Sequence, residues 1–559
     1  MKSDKLFKVL ILAFLFGNPL FAQVGYVDYN NPVYSFLERM NSLHILKDYN
    51  NFELPKTRRQ IGVYLNSILK NKNKLTSTDQ RILADFLIEF EYETKGMVNK
   101  FSSLLPALKL NSLLSENEKY LYSYHDSTKT SLFVNFVGDA QYLFLSEPVK
   151  NYLQNTTVFN FGGLIRGSLF NHFGFSIKAT NGTFTGNRQL TLTTGPRRYN
   201  YKLQNDVTSS NLGHNFFDQT EGFLLADYNF LQFKIGRDRQ SIGYGPVKYI
   251  LSDNPPKMDY LSLSLNYKSI NFSFFHGKLL GLQTSAGNNL EGQINSVEDK
   301  YIAYHRLGLN FSRHFQLGAG EIVIYGNRSI DFSYLNPFNF YKSTEHANQD
   351  RDNSMLFFDF VNNSIKGLKF YSTILIDDMD FGKIGTGWYG NQILYDFGIY
   401  SSQLYNIFPV EFDFQYLHIE PYVYTHRIKN NNFTTLGFNL ADQLQPNSET
   451  FLLKATYTIN YRLKISALFI YSIHGANKTT DGKIVNFGGD INLGHRVSDP
   501  EYVKFLDGFR EYSRILQFDI NYEPVNNYLL NFKLIYTNGN LIKSKVKKIF
   551  SNLSFSIKI

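Results

Sequence analysis

The chain has 559 residues, with 57 Lys and Arg against 48 Asp and Glu, so its net charge is +9 while only 19% of its residues are charged. It contains no cysteine, which excludes disulfides, thiolate metal sites and cysteine nucleophiles. Aromatic residues make up 16% of the chain and hydrophobic residues 43%, which excludes a disordered protein. Such a composition is typical of a chain whose apolar side chains face lipid while its polar ones face water.

Residues 1–22 predict a secretory signal peptide. Lys2, Lys5 and Lys8 flank and interrupt a short apolar stretch over 6–16, and Ala22 is a small residue at a plausible cleavage point. The stretch is too short to cross a bilayer, for which about 20 residues are needed. We expect cleavage after Ala22 and export of the mature chain.

Residues 23–118 predict a small periplasmic helical domain, because their apolar residues recur at helical spacing in three segments. The second helix begins with a capping box formed by Thr57 and Gln60, and the third follows Ser77 or Thr78. The lysine-rich polar faces of these helices are interpreted as solvated surface. An exported protein meets no DNA, so no nucleic-acid partner is expected.

From about residue 119 the hydrophobic period changes to two residues. Leu132, Val134 and Phe136 alternate with polar neighbours, and the chain ends in the same pattern over 553–559. Such segments are strands with one apolar and one polar face. Repeated over 119–559, they are too many for a β-sandwich. The fold class is therefore mainly β, a transmembrane antiparallel β-barrel of the outer membrane.

Tight turns and long polar loops alternate along this region, as they do in outer-membrane barrels. Eight turns and nine loops join 18 predicted strands, and the segmentation allows 16 to 20 because 485–493 could form a further strand or hairpin. The predicted turns are 170–172, 228–230, 267–270, 312–315, 362–367, 405–409, 460–462 and 522–526. The predicted loops are 146–156, 181–220, 238–259, 277–300, 326–353, 377–391, 426–449, 474–511 and 538–548.

Motifs that carry catalysis are missing from the sequence: it has no P-loop, dinucleotide fingerprint, HExxH, EF-hand or GxSxG pattern. His305 could be the base of a hydrolase, but without a positioned nucleophile we interpret it as a hydrogen-bonding residue of the lumen. Asp377, Asp378 and Asp380 could bind calcium, yet the remaining ligands are missing, which favours a solvated loop or a lumenal cluster. We predict no catalytic residue, no metal and no cofactor.

A basic tract lies near the C-terminus, at Lys543, Lys545, Lys547 and Lys548. It could contact the phosphates of lipopolysaccharide, and an ordinary solvated loop is an equally good interpretation. Outer-membrane lipids and lipopolysaccharide are the expected surroundings of the barrel, which we predict to be monomeric.

Short motifs follow one another in a fixed order. The most distinctive are Gly-Arg-Asp-Arg-Gln-Ser-Ile-Gly-Tyr-Gly at 236–245 and Leu-Ser-Asp-Asn-Pro-Pro at 251–256. The others are His305-Arg306-Leu307, Gly320-Glu321 with Tyr325-Gly326, Leu335-Asn336-Pro337 with Glu345 and Asp352-Asn353, Pro421-Tyr422-Val423-Tyr424-Thr425-His426, Leu436-Gly437 and Pro446-Asn447-Ser448. This ordered set, which covers nearly the whole mature chain, resembles the capsule assembly protein family called Wzi.

The resemblance implies an 18-stranded outer-membrane barrel with a helical bundle at its periplasmic end. It also implies a non-enzymatic protein that binds or anchors capsular polysaccharide at the cell surface and assists capsule assembly. The alternative is a porin for diffusion or export of solutes, because barrels of this size can enclose water. An outer-membrane enzyme is a third class, and it lacks a catalytic constellation. The helices and the long loops favour a blocked lumen.

Charged and aromatic residues beside the loops are the candidates for glycan binding or for pinning the loops across the barrel mouth. Charges facing lipid are costly, so we expect these to point into the lumen or to join the loops. We favour a salt-bridge network that pins the loops. The alternative is a glycan site in which Tyr244 and Tyr341 stack on sugars and arginines bind acidic groups. The candidates are Arg237, Asp238, Arg239, Tyr244, Asn336, Tyr341, Glu345, Asp352, Asn353, Glu420, Tyr424 and His426.

Overall fold

The structure is a computed structural model of the full chain. It describes residues 25–99, 101–105, 110–126, 129–170, 172–193, 197–198, 200, 215–228, 230–289, 292–404, 407–542 and 544–559. The predicted signal peptide, 1–22, lies outside the described residues.

Eighteen antiparallel strands close into a barrel, as predicted. They are β1 Ser131–Glu147, β2 Tyr152–Leu169, β3 Phe173–Gly186, β4 Phe216–Asp227, β5 Leu231–Asp238, β6 Met258–Tyr267, β7 Ile270–Asn289, β8 Gly292–Ser312, β9 Phe315–Gly326, β10 Asn353–Asn362, β11 Leu368–Asp378, β12 Gln392–Ser401, β13 Val410–Ile419, β14 Ser448–Asn460, β15 Leu463–Ala476, β16 Phe509–Val525, β17 Tyr528–Leu541 and β18 Ser544–Lys558. Strand β18 pairs with β1 and closes the barrel, and the short strand Tyr122–His125 pairs with the first residues of β1. Closure satisfies every strand edge within the membrane.

The outer wall is apolar because of the two-residue alternation. On β16, Leu516, Phe518 and Ile520 project outward and remain 37 to 42% exposed. Between them, Gln517 and Asp519 point into the lumen and hydrogen-bond to each other over 2.6 Å. The same division between an apolar outer belt and a polar inner face makes the barrel a membrane-spanning one.

The barrel has a turn end, where the eight predicted turns lie, and a loop end with the long connections. Two predicted loops are wrong. Most of 277–300 belongs to the long hairpin of β7 and β8, whose pairing continues to Asn288 and Gln293. Most of 538–548 belongs to β17 and β18. Strands that rise above the membrane need no lipid-facing side, so the two-residue alternation is weak in both sequences.

The loop end differs from prediction at two further points. The possible strand 485–493 is absent from the barrel, and a small hairpin of Lys478–Thr480 with Lys483–Val485 stands in that loop. In the basic tract, Lys548 pairs with Glu147 over 3.0 Å.

The predicted helices are present ahead of the barrel: α1 Val33–Ser42, α2 Arg58–Leu69 and α3 Ser77–Glu89, followed by the short α4 Glu91–Lys95. Thr57 and Gln60 form the predicted capping box of α2, whereas α3 is capped by Thr76 and not by Ser77 or Thr78. The later helices are α5 Leu110–Leu113, α6 Arg188–Leu192, α7 Phe332–Leu335 and α8 Tyr341–Ala347. Within the described ranges, none of the helices is long and apolar enough to cross a membrane.

The helices are fixed to the turn end of the barrel by buried polar contacts. Arg39 of α1 is fully buried and forms ion pairs with Asp79 of α3, at 2.7 Å, and with Glu411 of β13. Ser42 contributes its carbonyl oxygen to a 2.7 Å hydrogen bond from the amide of Gly367, in the turn between β10 and β11.

A segment between α1 and α2, residues 48–56, enters the lumen and is here called the plug segment. Its Phe52 is 1% exposed and belongs to the largest hydrophobic cluster of the chain, whose other members line β6 to β13 or lie on loops. Glu53–Leu54 pairs with Ser241–Ile242, a short strand that follows β5. The side of the lumen lined by β6 to β13 is thus filled from both ends of the barrel.

Candidate functional site

The loops 239–257 and 420–447 fold into the lumen from the loop end. Ser252 donates a 2.9 Å backbone hydrogen bond to Leu440, and the amide of Lys248 donates to the Asp442 carboxylate over 2.6 Å. Gly245 allows the first loop to pass close to the wall: its φ is +69°, and an added Cβ would lie 2.5 Å from the side chain of Gln415. Together the two loops close this side of the lumen.

Tyr244 and Tyr424 are buried where the loops pack against the barrel wall. The Tyr244 hydroxyl donates to Asp359 over 3.2 Å, and its ring lies 4.8 Å from that of Phe52. Tyr424 has a φ of 71°, donates its hydroxyl to the backbone of Tyr249, and donates its amide to Asp377 over 2.6 Å. With no more than 1% of either side chain exposed, both take part in packing between loops and wall.

The charged residues 237–239, at the end of β5, point to both faces of the barrel wall. Asp238 points inward and pairs with the buried Lys234, as expected. The expectation is wrong for Arg237, which the alternation places on the outer face, where it pairs with Asp259 of β6 over 2.8 Å. This pair lies at the loop end of its strands and is about half exposed, so it avoids the cost of a charge in lipid. Arg239 donates to the Tyr29 hydroxyl over 3.0 Å.

Residues 327–352 form a strap that packs on the outer wall of the barrel. Tyr341 of α8 and Tyr334 of α7 are both fully buried there. They cover Tyr301 and Tyr325, which project outward from β8 and β9. The sequence analysis predicts that this loop closes over the barrel mouth, and that prediction is wrong, because the loop lies on the outer wall. The sequence pattern of one strand does not show which of its outward residues a loop covers.

Three of the predicted residues hold the strap together or lie on its surface. Asp352 is fully buried and binds Arg328 with both oxygens, each over 2.7 Å. Glu345 pairs with Lys342 over 3.0 Å and accepts a hydrogen bond from Ser354 of β10. Asn336 is exposed and accepts a 3.2 Å hydrogen bond from the backbone two residues further on.

His305 is the anchor of the strap on the barrel wall. It projects outward from β8, so its predicted position in the lumen is wrong. Its Nε2 lies 3.0 Å from Glu321 of β9, and the ring centroid of Tyr341 lies 4.4 Å away. Glu321 also accepts the amides of Tyr341 and Lys342, at 2.9 and 3.2 Å, and thereby holds the first residues of α8.

The remaining candidates surround the loop 420–447. Asn353 donates to the backbone of Asn431 over 3.1 Å, and Glu420 pairs with His418 over 3.0 Å. His426 accepts the amide of Ile428 at Nδ1 over 3.1 Å. Burial lowers the pKa of His426 to about 4, because an imidazolium there would lose its hydration.

The acidic residues of 377–380 do not converge on one point. Asp377 accepts the amide of Tyr424, and Asp380 caps the following turn at Gly382. In the described part of the chain, one group of side chains has its ligand atoms close enough for a metal: Glu345, His346 and Asp350.

A partly exposed aromatic patch at the loop end, formed by Trp388, Tyr389, His495 and Tyr502 with Lys383, was missed in the sequence. Trp388, the single tryptophan of the chain, pairs through its backbone with Tyr502, which is 56% exposed. The ammonium of Lys383 lies 4.0 Å from the Trp388 ring centroid, and Tyr389 stacks on His495 at 3.5 Å. A lone tryptophan inside a long polar loop could have drawn attention to this patch.

A closed antiparallel barrel with an apolar outer belt and long loops at one end is an outer-membrane protein. The sequence model of the capsule assembly protein Wzi family matches residues 154–528, which is more than half of the 559 residues. The chain therefore belongs to the capsule assembly protein Wzi family.

Several solved structures are similar to this chain. Wzi of Escherichia coli, described as an outer-membrane carbohydrate-binding β-barrel involved in group 1 capsule assembly, has a TM-score of 0.56 at 12% identity, covering 96% of this chain and 99% of its own. OccK8 (OprE) of Pseudomonas aeruginosa has a TM-score of 0.45 at 10% identity, covering 77% and 98%. OccAB2 of Acinetobacter baumannii has a TM-score of 0.43 at 12% identity, covering 76% and 98%. No curated protein sequence matches the chain significantly.

Proposed function

We propose that this chain binds capsular polysaccharide at the loop end of the barrel and holds it at the cell surface without catalysing a reaction. The observation that carries the proposal is the family match over residues 154–528. The partly filled lumen supports it, because a barrel narrowed by Phe52 and two loops is better suited to holding a polymer outside than to passing one through.

The aromatic patch is the proposed contact surface. The C–H faces of a sugar ring are apolar and pack on aromatic rings, while its hydroxyl or carboxylate groups need polar partners nearby. Trp388 and Tyr502 offer the rings, and Lys383 offers a cation beside the Trp388 ring. Amphipathic aromatic side chains of this kind are suited to surfaces that are partly wet.

The candidates predicted in the sequence take a supporting role in this proposal. Tyr244, Tyr424, Asp352 and Glu345 are buried, and each is bonded to neighbouring protein groups. These contacts support the loop-pinning interpretation over direct contact with sugar. We also propose that the protein works as a monomer, since its closed barrel leaves no strand edge to pair with a second copy.

A binding assay tests the proposed surface. Full-length protein in lipid vesicles is mixed with capsular polysaccharide extracted from the source cells, and the bound fraction is measured. Trp388→Ala with Lys383→Ala should lose binding, whereas Tyr152→Ala, which removes a 45% exposed tyrosine elsewhere at the loop end, should keep it. If the double variant binds as much polysaccharide as Tyr152→Ala and the wild type do, the patch is ruled out as the contact surface.

A second candidate function, a solute pathway, is favoured by one observation. The inward side chains of β16, among them Gln517, Asp519 and Asn521, remain partly exposed while those of β8 to β11 are buried. Single-channel recording separates the two functions. A stable conductance would favour the pathway, and a silent bilayer containing folded protein would favour anchoring.

A further inference from the structure

Four apolar side chains of the strap are exposed on the outside of the barrel. Ile330 is 47% exposed, Phe332 84%, Phe338 77% and Phe340 56%. A patch of this kind would be costly in water. On the outer wall it continues the apolar belt, since Phe338 stacks at 5.2 Å on Phe272, an outward residue of β7. These side chains therefore lie within the membrane.

Next to the strap, the outer wall of β8 to β11 has a groove with a volume of about 370 Å³. It exists because Ala319 and Ser372 are small, while Leu307, Leu317 and Phe358 beside them are large. The volume is in the range of pockets that hold small ligands, about 300–1,000 Å³. The groove is almost entirely apolar, so its ligand must be apolar too.

The groove begins where the strap ends. Ala319 pairs with Leu307 on one side and with Phe358 on the other. It lies two residues from Glu321, which holds the first residues of α8. Two residues along a strand span about 7 Å. The groove is therefore bounded by the strap toward the loop end. Toward the turn end it continues to Phe360, two residues before the end of β10.

We propose that the groove binds one acyl chain of a lipid in the leaflet at the turn end of the barrel, with the strap immersed on its loop-end side. A flexible hydrocarbon chain fits a groove that opens along the membrane belt. Since the strap bounds the groove toward the loop end, the chain enters the groove from the turn end.

Lipid retention tests the groove. Full-length protein is reconstituted with dioleoylphosphatidylglycerol, re-extracted into mild detergent, and its retained lipid counted by native mass spectrometry. Ala319→Leu should reduce retention roughly tenfold, because filling the groove displaces about two methylene groups. Ala140→Leu, an outward alanine on β1, is the matched control and should retain lipid as the wild type does. Equal retention by both variants, or none by the wild type, would overturn the proposal.

Fluorescence quenching tests the immersion of the strap. In a Trp388→Phe background, which has no other tryptophan, Phe338→Trp is compared with Tyr502→Trp at the loop end. In vesicles of dibrominated phosphatidylcholine the strap reporter should lose most of its fluorescence, and the Tyr502→Trp reporter should keep it. An unquenched strap reporter would show that the strap lies in water and would overturn the proposal.

Discussion

Truncating the central side chain of the plug should release the segment 48–56 from the lumen. Phe52 is 1% exposed, packs on Tyr244 at 4.8 Å, and lies under the guanidinium of Arg306 at 4.5 Å. Its carbonyl accepts the amide of Gly243 over 2.8 Å. The plug segment is thus held to the loop 239–257 by both packing and a hydrogen bond.

Phe52→Ala removes this packing and leaves a cavity, which costs roughly 3 to 5 kcal/mol for a buried phenylalanine. At about 1.4 kcal/mol per tenfold, the open state of the plug becomes roughly a hundred to several thousand times more populated. Hydrogen exchange of the full-length protein in detergent should then rise in peptides covering 48–56 and the amide of Gly243. Exchange in the strands of the outer wall should stay slow.

Phe90→Ala is the matched control. Phe90 is fully buried and also packs under a guanidinium, that of Arg58 at 4.3 Å, but it belongs to the helical cluster outside the barrel. It should accelerate exchange in α3 and α4 and leave residues 50–53 of the plug segment protected, since of that segment only Tyr49 and Leu54 pack with the helical cluster. If Phe52→Ala leaves exchange over 48–56 unchanged, the side chain does not hold the plug and the reasoning is refuted.

Three further outcomes are expected. Asp359→Ala leaves the buried Arg306 without its carboxylate and should lower the free energy of unfolding by roughly 3 to 5 kcal/mol. The heat-induced gel shift should then occur at a lower temperature, and the double variant Arg306→Met with Asp359→Leu should largely restore the wild-type temperature. The folded pKa of His426, about 4, lies below its unfolded value, so the free energy of unfolding should fall by roughly 2 to 3 kcal/mol as the pH drops from 7 to 4.5. If the melting point of His426→Gln in detergent depends on pH as strongly as that of the wild type, the prediction is contradicted. Glu411→Gln weakens the contact of Arg39 with the wall, so hydrogen exchange should rise in α1 but not in α4, and unchanged exchange in α1 would count against this contact.

The barrel could be predicted because its physical cause is local. A two-residue alternation occurs within each strand and tight turns join neighbouring strands, so the number of strands and the eight turns could be predicted directly. The strand extensions at 277–300 and 538–548 could not, because strands outside the membrane lose the apolar face on which the pattern depends.

The site was harder to predict because it depends on which wall a loop covers. The buried positions of Tyr244 and Tyr424 agree with loops pinned across the lumen. For Tyr341 and Glu345 the sequence showed that they belong to one long loop, but whether that loop turns inward or over the outer wall is decided by contacts with His305 on a distant strand. Such contacts leave no local signal.

Attachment of polysaccharide to living cells tests the central claim most directly. Cells lacking this chain are complemented with the wild type, with Trp388→Ala and Lys383→Ala together, or with Tyr152→Ala, and cell-bound and released polysaccharide are measured separately. The proposed function predicts normal total synthesis throughout, with polysaccharide bound for the wild type and Tyr152→Ala, and released for the patch variant and the deletion. Polysaccharide that stays attached to the deletion strain would contradict the anchoring function.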